Sequence, residues 1–283
     1  MTIEILEPHG FCSGVKAAVE KALHALSASA SEPVYCLHEL VHNEAVVSDL
    51  TARGLRFVDD IQEVPPGARV IFSAHGVSPA VREEATARSL QIIDATCPFV
   101  ARAHRQARDI VARGQPVLII GHAGHVEVQG VWGEVVALGG CGAIVRTAAE
   151  VKTLPPLGRV GVVCQTTLTV AVIQEVMDAL RGRGFEIERQ RASEACTATR
   201  DRQEAVQRFV QAGGDGVLVL GSVNSSNTRR LTEIAQAAGA RAWRVGNVAD
   251  LARCDFSTVR RLGITAGAST PEKFLQDVLS VLY

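Results

Sequence analysis

The sequence predicts an α/β protein made of three small, similar units with mainly parallel sheets. Three observations predict it. Short apolar runs alternate with amphipathic segments along the whole chain. The alternation recurs three times in one order. The loops that follow the strongest apolar runs are polar each time.

Each unit opens on a short strand, a cysteine and an amphipathic helix. The three openings are EILEPHGFCSGVKAAVEKAL, QIIDATCPFVARAHRQARDIV and EIERQRASEACTATRDRQEAVQRFV. A strand and a polar loop come next: PVYCLHELVHN, PVLIIGHAGHVE and GVLVLGSVNSSN. A helical segment leads to the short strands RFVDD, AIVRT and WRVGN. A last strand ends in a second polar loop: RVIFSAHGVSP, RVGVVCQTTLT and LGITAGAST. The spacing holds: Cys12 to His38 is 26 residues, Cys97 to His122 is 25, and Cys196 to Ser222 is 26. The expected units are 14–96, 97–193 and 194–283. Ligands of open α/β sheets bind beyond the carboxyl ends of strands, so the six polar loops are where chemistry is expected. Rich in His, Ser, Thr and Asn and poor in Lys and Arg, they suit a small anion held by neutral donors.

Composition removes several classes. The 283 residues are 47% hydrophobic and 21% charged, with net charge −1. No basic stretch interleaves with aromatics, which excludes nucleic acid as the main partner. No apolar run is long enough to span a membrane. The start, MTIEILEPHG, lacks the regions of a signal peptide, so a cytoplasmic protein is expected. Seven cysteines in a reducing compartment argue against a disulfide framework and for a few thiols that bind metal or react.

Cys12, Cys97 and Cys196 hold matching places in the three units. In DATCPFV, Pro98 fits the first position of a helix, which puts Cys97 at a helix N-terminus where the dipole favours a thiolate. Three such thiolates would leave one iron of a four-iron cluster open to substrate. Cys36 and Cys164 lie in apolar strand runs, and Cys141 and Cys254 have no repeat partner; these four read as structural. HELVH, residues 38–42, matches the H-E-x-x-H pattern of zinc hydrolases. It directly follows a strand, however, and its repeat counterparts are loops, so His42 reads instead as an anion donor. In GHAGHVEVQG, His125 and Glu127 can aim at one ligand and move protons. Thr166 and Thr167 can relay a proton or cap a helix. Ser225, Ser226, Asn227, Ser269 and His75 are loop polar groups whose plainest role is capping or packing. His104, within the helix after Cys97, reads as an ordinary helix residue. There is no Walker loop and no G-x-G-x-x-G.

Nine segments carry a resemblance: HGFCSGV, HELVHN, SAHGVSP, DATCPFV, GHAGHVEVQG, QTTLTV, CTATRDRQEAV, GSVNSSNTRRL and TAGASTPE. In that order they resemble the motifs of the 4-hydroxy-3-methylbut-2-enyl diphosphate reductases, of the IspH/LytB type, over essentially the whole chain. The resemblance implies reductive removal of the substrate's allylic hydroxyl to give isopentenyl and dimethylallyl diphosphate, the last step of the methylerythritol phosphate route. It implies a 4Fe–4S cluster on Cys12, Cys97 and Cys196, with the open iron taking the substrate oxygen. It implies His42, His75, His125, Ser225, Asn227 and Ser269 around the diphosphate, with Ser226 and Thr167 adjacent. Glu127 is implied as the proton source and Thr166 as the hydroxyl beside it. An electron donor such as a ferredoxin or flavodoxin is implied too. So are a three-lobed arrangement around a central iron–sulfur site and an N-terminal strand, within 1–13, that packs on the third unit. Ala123, Glu194, Ala195 and Thr197 depart from the family's pattern. Two other classes stand beside this one: a zinc-dependent hydrolase using HELVH, and a non-enzymatic iron–sulfur sensor.

Overall fold

The apolar runs form strands because Val, Ile and Leu suit a sheet buried on both faces. The computed structural model describes residues 1–28, 32–188 and 196–283. Its elements, in chain order, are β1 (Thr2–Ile5), α1 (Ser13–Ser27), β2 (Val34–Leu37), α2 (Glu44–Ala52), β3 (Leu55–Val58), β4 (Arg69–Phe72), α3 (Pro79–Ala87) and β5 (Gln91–Asp94). Then come α4 (Pro98–Ala112), β6 (Val117–Ile120), α5 (Val126–Ala137), β7 (Gly142–Val145), α6 (Ala148–Val151), β8 (Arg159–Cys164), α7 (Val170–Gly182) and β9 (Glu186–Glu188). The last are α8 (Thr197–Gln211), β10 (Gly216–Leu220), α9 (Ser226–Ala237), β11 (Arg241–Val245), β12 (Arg261–Ala266) and α10 (Glu272–Leu282).

Every strand pair is parallel, and three four-stranded sheets result: β3-β2-β4-β5, β7-β6-β8-β9 and β11-β10-β12-β1. The order is the same each time. The strand that opens each cysteine segment closes the edge of a sheet: β5 pairs with β4, β9 with β8, and β1 with β12. The described chain forms two compact units. One comprises Met1–Lys16, Val41–Ala52 and Thr197–Tyr283 and holds the β1 sheet. The other comprises Ala17–Leu40 and Arg53–Cys196 and holds the remaining two sheets. The expected boundary at 193/194 lies outside the described residues, as do Glu194 and Ala195.

The period-two alternation of each central strand feeds two cores. Val217 and Val219 face Val206, Phe209 and Leu231 of α8 and α9, whereas Leu218 and Leu220 face Leu275 and Val278 of α10. In the other unit, Val117 and Ile119 pack with Ala107 and Ile110 of α4 and Val131 and Val135 of α5. Leu118 and Ile120 pack with Val176 and Leu180 of α7. Helix starts are signed by caps: the Ser78 side chain accepts from the Val81 N–H ahead of Pro79, and Thr169 and Ser225 do the same for α7 and α9. Among the described residues no helix is long and apolar enough to cross a membrane.

The shared strand order places a topological switch between β2 and β4, between β6 and β8, and between β10 and β12. The six polar loops leave the carboxyl ends of these six strands.

Candidate active site

In the larger unit, β6 and β8 are neighbours in register, Ile120 opposite Cys164, so the loops 121–125 and 165–169 emerge side by side. Gln165 stitches them: its Oε1 accepts from the His122 N–H at 3.0 Å, and its Nε2 donates to Thr167 Oγ1 at 3.2 Å. Glu127 stands in the first turn of α5 and is 3% exposed. Its Oε1 accepts the Thr166 N–H at 2.7 Å, and its Oε2 accepts the Thr166 hydroxyl at 3.0 Å. Burial raises the Glu127 carboxyl to about 7, outweighing the two Thr166 bonds that favour its charged form. A buried carboxyl that holds its proton near neutral pH is suited to giving that proton up.

His125 caps α5, its Nδ1 accepting from the Glu127 N–H at 3.2 Å, which assigns the proton of the neutral ring to Nε2. The His75 ring, on the loop after β4, meets it edge-on at 5.9 Å between centroids. Two rings, a hydroxyl and a carboxyl therefore meet in one place, from loops after three different strands.

The smaller unit offers a neutral counterpart. β10 and β12 pair with Leu220 opposite Ala266, bringing out the loops 221–225 and 267–270 together. Ser225 accepts from the Thr228 N–H at 3.2 Å, so its own O–H points elsewhere. Asn227 is 5% exposed, and neither atom of its side-chain amide has a hydrogen-bond partner among the described residues. Buried amides are normally satisfied, so this one is free to bond a ligand. Ser269 donates to the His42 carbonyl at 3.0 Å and must rotate to donate to anything else. Ser226, the first residue of α9, is half-buried.

Each of the three repeat cysteines directly precedes a helix: Cys12 before α1, Cys97 before α4 and Cys196 before α8. The Val15 N–H points at Cys12 Sγ at 3.5 Å, and Cys97 is the N-cap of its helix. Cys196, buried, donates its own N–H to the Thr166 carbonyl at 3.1 Å. Helix N-termini stabilise thiolates, and thiolates are the donors iron–sulfur clusters take. The donor set thus fits such a group, although no three His, Cys, Asp or Glu side chains among the described residues are arranged to hold a metal ion. Three of the other four cysteines lie where burial opposes a thiolate. Burial pushes the Cys164 thiol up to about 12 and Cys36 higher still, and burial with Asp250 nearby raises Cys254. None of the seven, all among the described residues, forms a disulfide.

Residues 3–283 match the family described as LytB protein. The chain belongs to the LytB family. This LytB chain is 44% identical to the 4-hydroxy-3-methylbut-2-enyl diphosphate reductase of Tolumonas auensis, across all of its own length and 91% of that protein. It is 42% identical to the reductase of that name from Burkholderia pseudomallei, covering all of this chain and 89% of the other. The solved E-1-hydroxy-2-methyl-but-2-enyl-4-diphosphate reductase of Plasmodium falciparum superposes with TM-score 0.92 at 32% identity, over 99% of this chain and 87% of that one. A second structure, described as (E)-4-hydroxy-3-methyl-but-2-enyl diphosphate reductase, the terminal enzyme of the non-mevalonate pathway, gives TM-score 0.72 at 33% identity, over 100% and 99%.

The zinc motif of this LytB chain is not on a helix. Residues 38–42 form bends between β2 and α2, and His38 has φ +59, so the one-turn spacing that zinc needs is absent. Gln165 escaped the sequence reading, although it stands directly before Thr166 and Thr167 and bonds both neighbouring loops. His104 is in the helix after Cys97, as expected, but it is 5% exposed and bonded at 2.9 Å to Glu134, which the sequence did not show.

Proposed function

We propose that this protein is a 4-hydroxy-3-methylbut-2-enyl diphosphate reductase. It replaces the allylic C–OH bond by C–H, consuming two electrons and two protons and releasing water, to give isopentenyl and dimethylallyl diphosphate. The observation that carries this reading is likeness to reductases of that name along the full chain, at 44% identity.

The finer assignments belong to the same proposal. Cys12, Cys97 and Cys196 hold a 4Fe–4S cluster. When bound, that cluster supplies electrons singly and a Lewis-acidic iron. His42, His75, His125, Thr167, Ser225, Ser226, Asn227 and Ser269 bind the diphosphate. They do so as neutral donors, and binding the non-reacting end of the substrate orients the reacting end. Glu127 gives the proton with which the hydroxyl leaves as water. What supports this is a carboxyl raised to about 7, protonated in a large fraction of molecules at neutral pH. Thr166 fixes both carboxyl oxygens, and because its hydroxyl can also accept, it can relay a proton. A small one-electron carrier such as a ferredoxin or flavodoxin feeds the site, and the enzyme works in the cytoplasm. The three repeats, 14–96, 97–193 and 194–283, are its structural units, with the N-terminal strand serving the third.

Anaerobic reconstitution with iron and sulfide tests the reading. The expected product is a brown protein with a broad visible band that turns over the allylic diphosphate repeatedly under strong reductant. A colourless protein that takes up only zinc overturns it. A coloured protein that binds substrate without multiple turnovers is a sensor, not an enzyme.

A further inference from the structure

A buried polar cluster outside the groups already used lies between α4 and α5. His104 Nδ1 is 2.9 Å from Glu134 Oε1, and Arg108 Nη1 is 2.8 Å from the same oxygen. His104 and Glu134 are 5% and 7% exposed. Burial lowers the ring's pKa despite the carboxylate beside it, so the imidazole is neutral and Nδ1–H donates to Glu134. That bond fixes the plane of the ring.

Its other nitrogen faces backbone. A Cβ added to Gly76 would lie 2.9 Å from Nε2, and one added to Gly130 would lie 3.1 Å from it. Gly76, at φ +74, is next to His75; Gly130 is on α5, five residues after its His125 cap. Nε2 itself is buried with no hydrogen-bond partner among the described residues. A space-filler would not leave a ring nitrogen buried in this way, since an unsatisfied buried nitrogen costs free energy that a carbon ring avoids. A ring of fixed plane is what the Glu134 bond adds.

We propose that His104 is a positioning residue: held in plane by Glu134, its ring sets the gap between the His75 loop and α5, and with it the mutual placement of His75 and His125. Resting on the reading that these two histidines bind the diphosphate, the inference predicts an effect on substrate binding and little on turnover. Glu127 has its own anchor, two bonds to Thr166, that does not pass through His104.

The test compares His104→Leu with His104→Asn in the reconstituted enzyme. Asn places an N–H where Nδ1 stands and can keep the bond to Glu134; Leu cannot. The expected result is a KM raised about tenfold in His104→Leu with kcat within about twofold, and a smaller rise in His104→Asn, which keeps the Glu134 bond but not the ring edge against Gly76 and Gly130. Equal KM in all three proteins, or equal impairment of both variants, overturns the proposal. If His104→Leu does not fold, Gly130→Ala pushes on the ring from α5 and must raise KM likewise; an unchanged KM there is equally fatal. If the wild type itself shows no turnover, the functional reading has failed separately. Crystal structures then decide the inference: the 5.9 Å His75–His125 separation must shift by about 1 Å or more in His104→Leu and by less in His104→Asn.

Discussion

The loops beyond β6 and β8 and the loops beyond β10 and β12 occupy the same topological place in two sheets of identical strand order. Their chemistry is opposite. The first pair gathers a buried carboxyl raised to about 7, a hydroxyl bonded to it and a histidine cap. The second holds Ser225, Asn227 and Ser269, none of which titrates in the physiological range, with an amide left unpartnered among the described residues. Under the proposed function, the architecture specifies where the ligand meets the chain and the side chains what is done to it: one pair of loops moves a proton and the other grips.

That contrast breaks most visibly at Glu127. Glu127→Gln keeps an acceptor for the Thr166 N–H but has no proton to give, so kcat is expected to fall roughly 10²- to 10⁴-fold with KM little changed. Near-normal turnover with full cluster loading would remove Glu127 from the proton path. Next in size is an effect on stability. In the unfolded chain this carboxyl titrates near its ordinary 4.5, and in the folded chain it holds its proton to about 7. The unfolded state thus loses its proton first, so the folded state loses stability as pH rises from about 4.5 to about 7, by roughly 3 kcal/mol, and no further above. Urea unfolding at pH 5 and pH 8 is expected to show most of that fall in the wild type and its absence in Glu127→Gln. Parallel pH dependence in the two proteins would contradict the burial argument. The smallest effect sharpens the other side. Asn227→Ala is expected to raise KM about tenfold while leaving the melting temperature unchanged or higher, because the lost amide bonds nothing among the described residues. A marked drop in melting temperature would show that the amide serves the fold.

How much of this is legible in the sequence depends on distance along the chain. The strands and their order follow from local runs such as PVLII and GVLVL, whose alternate residues were bound to face two cores. The matched spacing singles out Cys12, Cys97 and Cys196, and all three do precede helices, while Cys36 and Cys164 fall inside strands. Local pattern is silent on pairs made by folding. Glu127 meets Thr166 across 39 residues, and His104 meets Glu134 across 30, with no periodicity linking either pair. His104 looks ordinary in ARAHRQARDIV because nothing nearby marks the carboxylate that will face it. Gln165 is similar: its partners, His122 and Thr167, are set by two loops that only the sheet brings side by side.

The β1 strand has a consequence for how the protein is made. Thr2 bonds Arg260, 258 residues away, and β1 runs alongside β12 from Thr2 to Ile5. A ribosome makes these two partners 258 residues apart. While the residues between them are made, β1 is a strand without its neighbour, and its sheet can close only after β12 has been made. The two sheets of the larger unit are free of this delay, since all eight of their strands have been made by Glu188. The sheet that carries Ser225, Asn227 and Ser269 on its loops is therefore the last of the three to close.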